Sequence, residues 1–251
     1  MTSAVLLSWS GGKDSLLALL ALEAAGERVQ ALITTVTAVY DRVSMHGVRR
    51  VLVEQQAQAL QLPLVTVVLP AETTNAVYEA RLAEALTPWR DRGLHRVAFG
   101  DLFLADVRAY RETLMARLGL EPVFPIWGRD TAEAARTFVR DGCRAVVTCV
   151  DGEVLDRSWA GRAFDAALLA ALPPGVDPCG ERGEFHTFVT AGPRLGPGVR
   201  VERGAVVTRG RWHFADLLPA GGAAVSEPPA SAAPVESGEL PETAVRVEVR
   251  T

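Results

Sequence analysis

One hexapeptide, Ser10-Gly11-Gly12-Lys13-Asp14-Ser15, joins an apolar run, Ala4–Trp9, to a Leu/Ala-rich run from Ser15 to Ala25 that stops at Gly26. The first run reads as a short buried strand and the second as a packed helix, so strand, glycine turn and helix start coincide. That geometry aims backbone N–H groups and the positive helix end at whatever lies above the turn, which suits an anion, and phosphate above all. Gly11 and Gly12 allow positive φ and close approach of the backbone, Ser10 and Ser15 add hydroxyls, and Lys13 adds a mobile point charge. Lys13 is the single lysine among 26 lysines and arginines, so a chain that otherwise uses arginine places its one ammonium here. Each charge-assisted hydrogen bond to a phosphate contributes roughly 1.5–3 kcal/mol. The loop is not of the Walker type, because Asp14 follows Gly12-Lys13 where that loop needs Ser or Thr, and Leu7 stands at its first glycine.

Further apolar strand-like runs recur at Val29 to Val36, Leu64 to Leu69, Arg96 to Phe99 and Arg144 to Val150, separated by helix-length segments Gly47 to Leu60, Thr73 to Asp91 and Ala105 to Leu118. This alternation predicts an α/β fold with a parallel sheet. Asp130 and Glu133 have the spacing of a capping box for a helix to Arg140. A second lobe is expected from Trp127, and beyond Gly175 the pattern changes to glycine-rich turns and short strands, with a turn at Glu202-Arg203-Gly204. The domain reading is therefore 1–126 for nucleotide binding, 127–218 for a smaller substrate lobe, and 219–251 for a flexible Pro/Ala-rich tail that lacks aromatic residues. Val245–Val249 alternates like an edge strand, but its partner is not identifiable from the sequence.

With 49% apolar residues and no run near the roughly 20 residues of a membrane span, the expectation is a cytoplasmic protein with no membrane partner. A formal charge of −4 gives no general drive toward nucleic acid, and homo-oligomerisation stays open. Cys143, Cys149 and Cys179 form no CxxC pair, which leaves structural zinc and iron–sulfur clusters poorly supported; Cys179 is the one thiol near a polar cluster.

Two polar clusters bear on chemistry. Gly100-Asp101 follows a strand at the carboxyl edge where open parallel sheets bind ligands, and Arg108 and Arg111 lie one turn apart on the next helix, beside Asp106 and Glu112. Arginines aimed into a cleft hold phosphate or carboxylate; the bland reading is a solvated face with local ion pairs. The second cluster, Asp177 to Thr187, packs Glu181, Glu184 and His186 among glycines. Its carboxylates suit orienting an amine, acting as a base or helping to hold magnesium, and His186 titrates near neutrality. A turn and a strand with solvated polar residues is the alternative, and spacing does not divide these roles.

Ser-Gly-Gly-Lys-Asp-Ser after a first strand resembles the PP-loop of ATP pyrophosphatases. Together with Ser44-Met45-His46-Gly47, Gly100-Asp101 with Arg108 to Glu112, Trp127-Gly128-Arg129-Asp130 and Gly180 to Thr187, it occurs in the order seen in the diphthine–ammonia ligase family, over roughly residues 1–218. The Glu-Arg-Gly-Glu-Phe-His-Thr wording is most similar to bacterial-type members. The resemblance implies a Rossmann-like sheet of the adenine nucleotide alpha hydrolase type with a smaller C-terminal α+β lobe. It also implies an ATP-dependent carbon–nitrogen ligase that adenylates a small-molecule or protein carboxylate and amidates it with ammonia, releasing AMP and pyrophosphate. By this resemblance Ser10, Gly11, Gly12, Lys13, Asp14 and Ser15 hold ATP, with Asp14 a magnesium ligand. Lys13, Asp101, Arg108, Glu181, Glu184 and His186 are catalytic, and His46, Arg111, Arg129 and Thr187 meet the substrate. The competing readings are a PP-loop thiolase acting on tRNA through Cys179, and a regulator that binds nucleotide without turnover.

Overall fold

A computed structural model describes residues 4–221 and 248–249 of the 251-residue chain. The first unit runs β1 (Ala4–Ser8), α1 (Lys13–Ala24), β2 (Arg28–Thr37), β3 (Arg42–Val43), α2 (Arg50–Leu60), β4 (Leu64–Leu69), α3 (Asn75–Arg90), β5 (Arg96–Ala98), α4 (Ala105–Arg117) and β6 (Glu121–Val123). Its parallel strands stand in the order β4-β2-β1-β5-β6, and β3 folds back antiparallel on the end of β2. The chain winds outward from β1 to β2 and β4, then crosses back to β5 and β6. Winding therefore reverses between β1 and β5, and a reversal of that kind opens a crevice at the strands' carboxyl ends. The glycine loop follows β1 and the Asp101 loop follows β5, so both border that crevice.

Side-chain alternation along β1 distributes the helices over the two faces. Val5 and Leu7 join the apolar sides of α1 and α2, whereas Leu6 packs with Ala31, Ile33 and the buried residues of α3 and α4. All three strand residues are fully buried, each worth about 1.5–3 kcal/mol of transfer free energy.

The second unit comprises α5 (Thr131–Arg140), β7 (Arg144–Asp151), β8 (Ala163–Phe164), α6 (Ala166–Ala171), β9 (Phe185–Ala191), β10 (Val201–Arg209) and β11 (Trp212–Pro219). β7 pairs antiparallel with β8 and β11 along one edge and with β9 along the other, and β10 completes the sheet beside β11. Phe138, Val147, Phe185, Phe188 and Leu217 of this unit share one apolar cluster with α1 and α2, so the units are joined by a common core. The fold is thus the expected Rossmann-like sheet with an α+β lobe.

Three local expectations change. Glu202-Arg203-Gly204 is not a turn but lies inside β10, where the register with β11 shifts between Arg203 and Val206; the chain reverses at Gly210-Arg211 instead. Asp130 caps α5 by accepting from Glu133 N (2.7 Å), but the Glu133 carboxylate turns to Arg136, Thr137 and Arg140. The expected edge strand acquires a partner, since β12 (Glu248–Val249) pairs antiparallel with Val65 and Thr66 of β4. Residues 222–247, where most of the expected tail falls, lie outside the described residues.

Candidate active site

The glycine loop is held from below by a side chain that sequence reasoning missed. Gln56 of α2 is fully buried; its Oε1 accepts from Trp9 Nε1 (2.9 Å) and its Nε2 donates to Gly11 O (3.1 Å) and Val189 O (2.6 Å). Val189 N donates to Gly11 O at 2.8 Å, so β9 is bonded directly onto the loop. Gly11 has φ +79°, and a Cβ there would lie 2.8 Å from Gln56 Oε1, which restricts the position to glycine. The sequence signal for Gln56 was an amide on the apolar face between Leu52, Val53, Ala57 and Leu60. Gln56→Leu strands Trp9 Nε1 and Val189 O without partners and is expected to cost about 2–4 kcal/mol, read by chemical denaturation. Wild-type stability in that variant would refute the buttress.

Helix α1 begins at the loop with no side-chain cap on Gly12, so the amides of its first turn look into the crevice. Thr187 Oγ1 already accepts from Lys13 N (3.1 Å), Ser15 Oγ donates back to Gly12 O (2.8 Å), and Ser10 Oγ accepts from Gly12 N (3.3 Å). Gly100 presses against this turn from the β5 loop, its absent Cβ only 2.9 Å from Asp14 O. The Lys13 side chain departs from expectation. It is not mobile but 1% exposed, bonded to Asp14 Oδ2 (2.9 Å) and to the Cys179 carbonyl, with the rings of Phe185 and Phe164 5.4 and 5.8 Å from Nζ. Burial lowers the Lys13 pKa, but the adjacent charges, Asp14 foremost, outweigh it and leave it raised, so the side chain stays an ammonium. Asp14 Oδ1 is buried with no partner among the described residues.

Lys13 thereby ties the glycine loop to the Asp177–Thr187 segment. Asp177 organises that segment: Oδ1 accepts from Cys179 N (2.8 Å) and Glu181 N (3.2 Å), and Oδ2 from Thr131 Oγ1 (2.6 Å). Glu184 is turned inward, accepting from Asp177 N (2.9 Å) and Arg182 N (3.0 Å). Glu181 instead crosses to the β5 loop, where Oε1 accepts from Leu102 N (2.6 Å) and Phe103 N (3.4 Å). Burial first, then the charges of Asp14 and Asp101, push the Glu181 carboxyl up to about 7.

The His46 and His186 rings adjoin, with centroids 4.5 Å apart and planes tilted by 36°. Thr187 O can only accept, so His46 Nδ1 carries the proton of their 3.2 Å bond. Burial pulls His46 down to about 4 and His186 well below its ordinary value, so both rings are neutral at pH 7 rather than titrating near it. His186 Nε2 is buried and without a partner among the described residues.

Asp101 is held by both ends of Arg111, Nε to Oδ2 at 2.6 Å and Nη2 to Oδ1 at 3.1 Å, with that guanidinium 4.5 Å over Phe99. Arg108 donates to Glu112 (2.7 Å) and lies between the rings of Phe124 and Trp127 at 4.8 and 4.7 Å. Arg129 is exposed at the junction of the units. The structure thus brings Lys13, Asp14, Glu181 and Asp101 to one crevice with the histidine pair beside Gly12, while Arg129 stands outside it.

All three cysteines are buried. Cys179 Sγ donates to Thr131 O (3.3 Å), and burial pushes this thiol up to about 12, which suits packing and not thiolate chemistry. Among the described residues no group of three or more His, Cys, Asp or Glu converges as a metal cage, and no helix is long and apolar enough to cross a membrane.

Residues 1–122 match the family profile described as diphthamide synthase N-terminal domain, and residues 130–217 the one described as diphthamide synthase C-terminal domain. Relatives named diphthine–ammonia ligase from Bos taurus and Homo sapiens are each 25% identical, over 235 and 236 residues, covering 83% of this chain and 86% of theirs.

Proposed function

The chain belongs to the diphthine–ammonia ligase family, and we propose that it adenylates a carboxylate with ATP and amidates the product with ammonia, releasing AMP and pyrophosphate. The observation that carries this reading is Glu181. This carboxylate, pushed up to about 7, bridges from the substrate segment to the β5 loop directly beside the uncapped start of α1. An anion site and a proton acceptor of near-neutral pKa thus share one crevice, as a two-step acyl transfer requires.

The phosphate chain lies over Gly11, Gly12 and the first turn of α1, with Ser10, Lys13 and Ser15 shaping that cradle. The acyl carboxylate oxygen attacks the α-phosphorus, the bond to the bridging oxygen of the β-phosphate breaks, and pyrophosphate leaves. Ammonia then attacks the acyl carbon, AMP departs, and Glu181 takes the proton that nitrogen releases. Asp101, fixed by Arg111, keeps Glu181 basic, whereas Glu184 holds the segment's shape. Arg108 borders the entrance to the crevice, and His46, His186 and Thr187 line the glycine loop as uncharged groups. Magnesium fits this site in the mode of one carboxylate plus substrate phosphates, with Asp14 Oδ1 as the protein's oxygen; it would offset phosphate charge there. A cytoplasmic location belongs to this reading, since ATP and ammonium are supplied there.

Purified protein with ATP, magnesium, ammonium and a panel of carboxylic acids is expected to release AMP and pyrophosphate in equal amounts, with an amide as co-product. ATP binding without pyrophosphate release under any acid, or AMP formation indifferent to ammonia, would overturn the reading. Residues 1–126 supply the nucleotide site and 127–218 the acyl site in this scheme, and deletion of 222–251 is expected to leave turnover unchanged.

A further inference from the structure

Asp14, Asp101 and Glu181 crowd one crevice, so a carboxylic acid entering it is repelled unless a cation receives it. Two of the cations nearby are already committed. Lys13 Nζ is bonded to Asp14 Oδ2, and Arg111 spends Nε and Nη2 on Asp101. Arg182 is 58% exposed, with Nη1 3.4 Å from the Gly175 carbonyl oxygen. Arg108 differs from all of these. Its Nε donates to Glu112 Oε1 at 2.7 Å, one turn along α4, while Nη1 and Nη2 have no partner among the described residues.

The place of Arg108 is fixed by ring contacts that an ordinary ion pair on a helix surface lacks. The rings of Phe124 and Trp127 meet at 63° with centroids 6.0 Å apart, and the guanidinium occupies their corner, 4.8 and 4.7 Å from the two centroids. Phe99, which carries Arg111, stacks on Phe124 at 5.8 Å, so one aromatic row sets both arginines. Hydrogen bonds tie the corner to Glu181. Leu102 N donates to Glu181 Oε1, and Leu102 O accepts from the N–H of Gly128, the residue after Trp127, at 2.7 Å. Phe124 follows β6, which stands two strands from β1, about 10 Å at the spacing of a sheet. Arg108 therefore stands on the side of the β5 loop away from the phosphate cradle, where an acyl group meets the α-phosphorus.

We infer that the free end of Arg108 is the fork that receives the reacting carboxylate of the acyl substrate, and that it tells this acid from the amide product. The assignment rests on the carboxylate-ligase reading and gives that reaction a residue for acid selection. A guanidinium held in a ring corner presents two parallel N–H donors, which match the two oxygens of a carboxylate. One lone pair on each oxygen accepts from the fork, and a second stays available for attack on phosphorus. An amide has a single acceptor and turns its own N–H toward an Nη–H, donor against donor, so the product is not retained.

Acetate and acetamide, alike in size, test the fork on the full-length protein with α,β-methylene-ATP bound, read by ligand-observed NMR. Acetate is expected to bind about 10-fold or more tighter than acetamide. Arg108→Gln, whose side chain pairs with an amide as well as with a carboxylate, should erase that preference and leave affinity for the ATP analogue unchanged. Arg108→Lys keeps a point charge without the fork and should retain only about a 3-fold preference; it carries the test if the glutamine variant does not fold. With an acid that supports AMP release, Arg108→Gln should raise KM for the acid about 10-fold and leave KM for ATP unchanged. No preference in the wild type overturns the inference, as does a full preference in a folded variant. Lost affinity for the ATP analogue with acetate binding intact also overturns it and makes Arg108 a phosphate ligand. If acetate binds through Arg108 but no acid yields AMP, the fork stands as a carboxylate site and the ligase reading fails.

Discussion

Lys13→Ala is expected to lower stability by about 3 kcal/mol and the melting temperature by roughly 10 °C, while removing most adenylation. The stability loss follows from position. Lys13 is the buried cation between Asp14 and the Cys179 carbonyl, and burial already raises the Asp14 pKa against the lowering effect of Lys13. Without the ammonium, Asp14 faces Asp177 with only a backbone hydrogen bond to oppose its desolvation, and the loop-to-segment tie through Cys179 is lost. Because Lys13 shapes the cradle through these bonds, its loss also misplaces the phosphates and adds a fall of about 10–100-fold in AMP and pyrophosphate formation. Lys13→Met combined with Asp14→Asn separates the effects, since it removes both charges together; it should recover most of the melting temperature but little of the activity. A Lys13→Ala protein that melts like the wild type would show that Lys13 is not the tie between the units.

The glycine loop and the crevice were legible because their signals are local. A strand with three fully buried residues, two glycines and an uncapped helix start lie within residues 4–24, and Asp101 lies in the loop after its strand. The destination of the Lys13 side chain was not, because the carbonyl that holds it is 166 positions away, and nothing near Lys13 distinguishes a pinned ammonium from a mobile one. The same holds for Gln56, whose role depends on Val189 arriving from β9. Glu181 and Glu184 looked interchangeable by spacing, yet one accepts amides within its own segment and the other amides across the crevice. Only the path of the backbone divides those roles. Gly204 resembled a turn because glycine permits a bulge as readily as a reversal, and the partner strand that decides between them lies beyond Arg211.

Glu181→Gln is expected to reduce amide formation by about 10²–10⁴-fold while sparing adenylation, and to remove one limb of the pH profile. The glutamine Oε1 still accepts from Leu102 N, so the bridge to the β5 loop survives and the loss is one of proton acceptance. At constant free ammonia, the wild-type amidation rate should rise with pH and level off above about 7, where Glu181 becomes ionised; the variant rate should be flat across that range. Stability provides a second, independent readout with its own sign. The folded pKa of Glu181 is raised from 4.5 to about 7, so its neutral form is the one the fold favours. That contribution is complete below the unfolded value near 4.5 and is lost as pH rises through about 7, an effect on the order of 2 kcal/mol. Wild-type protein should therefore shed this share of stability between those values and Glu181→Gln should not. A variant that keeps the pH limb, or that loses pyrophosphate release together with amide formation, would move the proton acceptor elsewhere and leave Glu181 as a bridge alone.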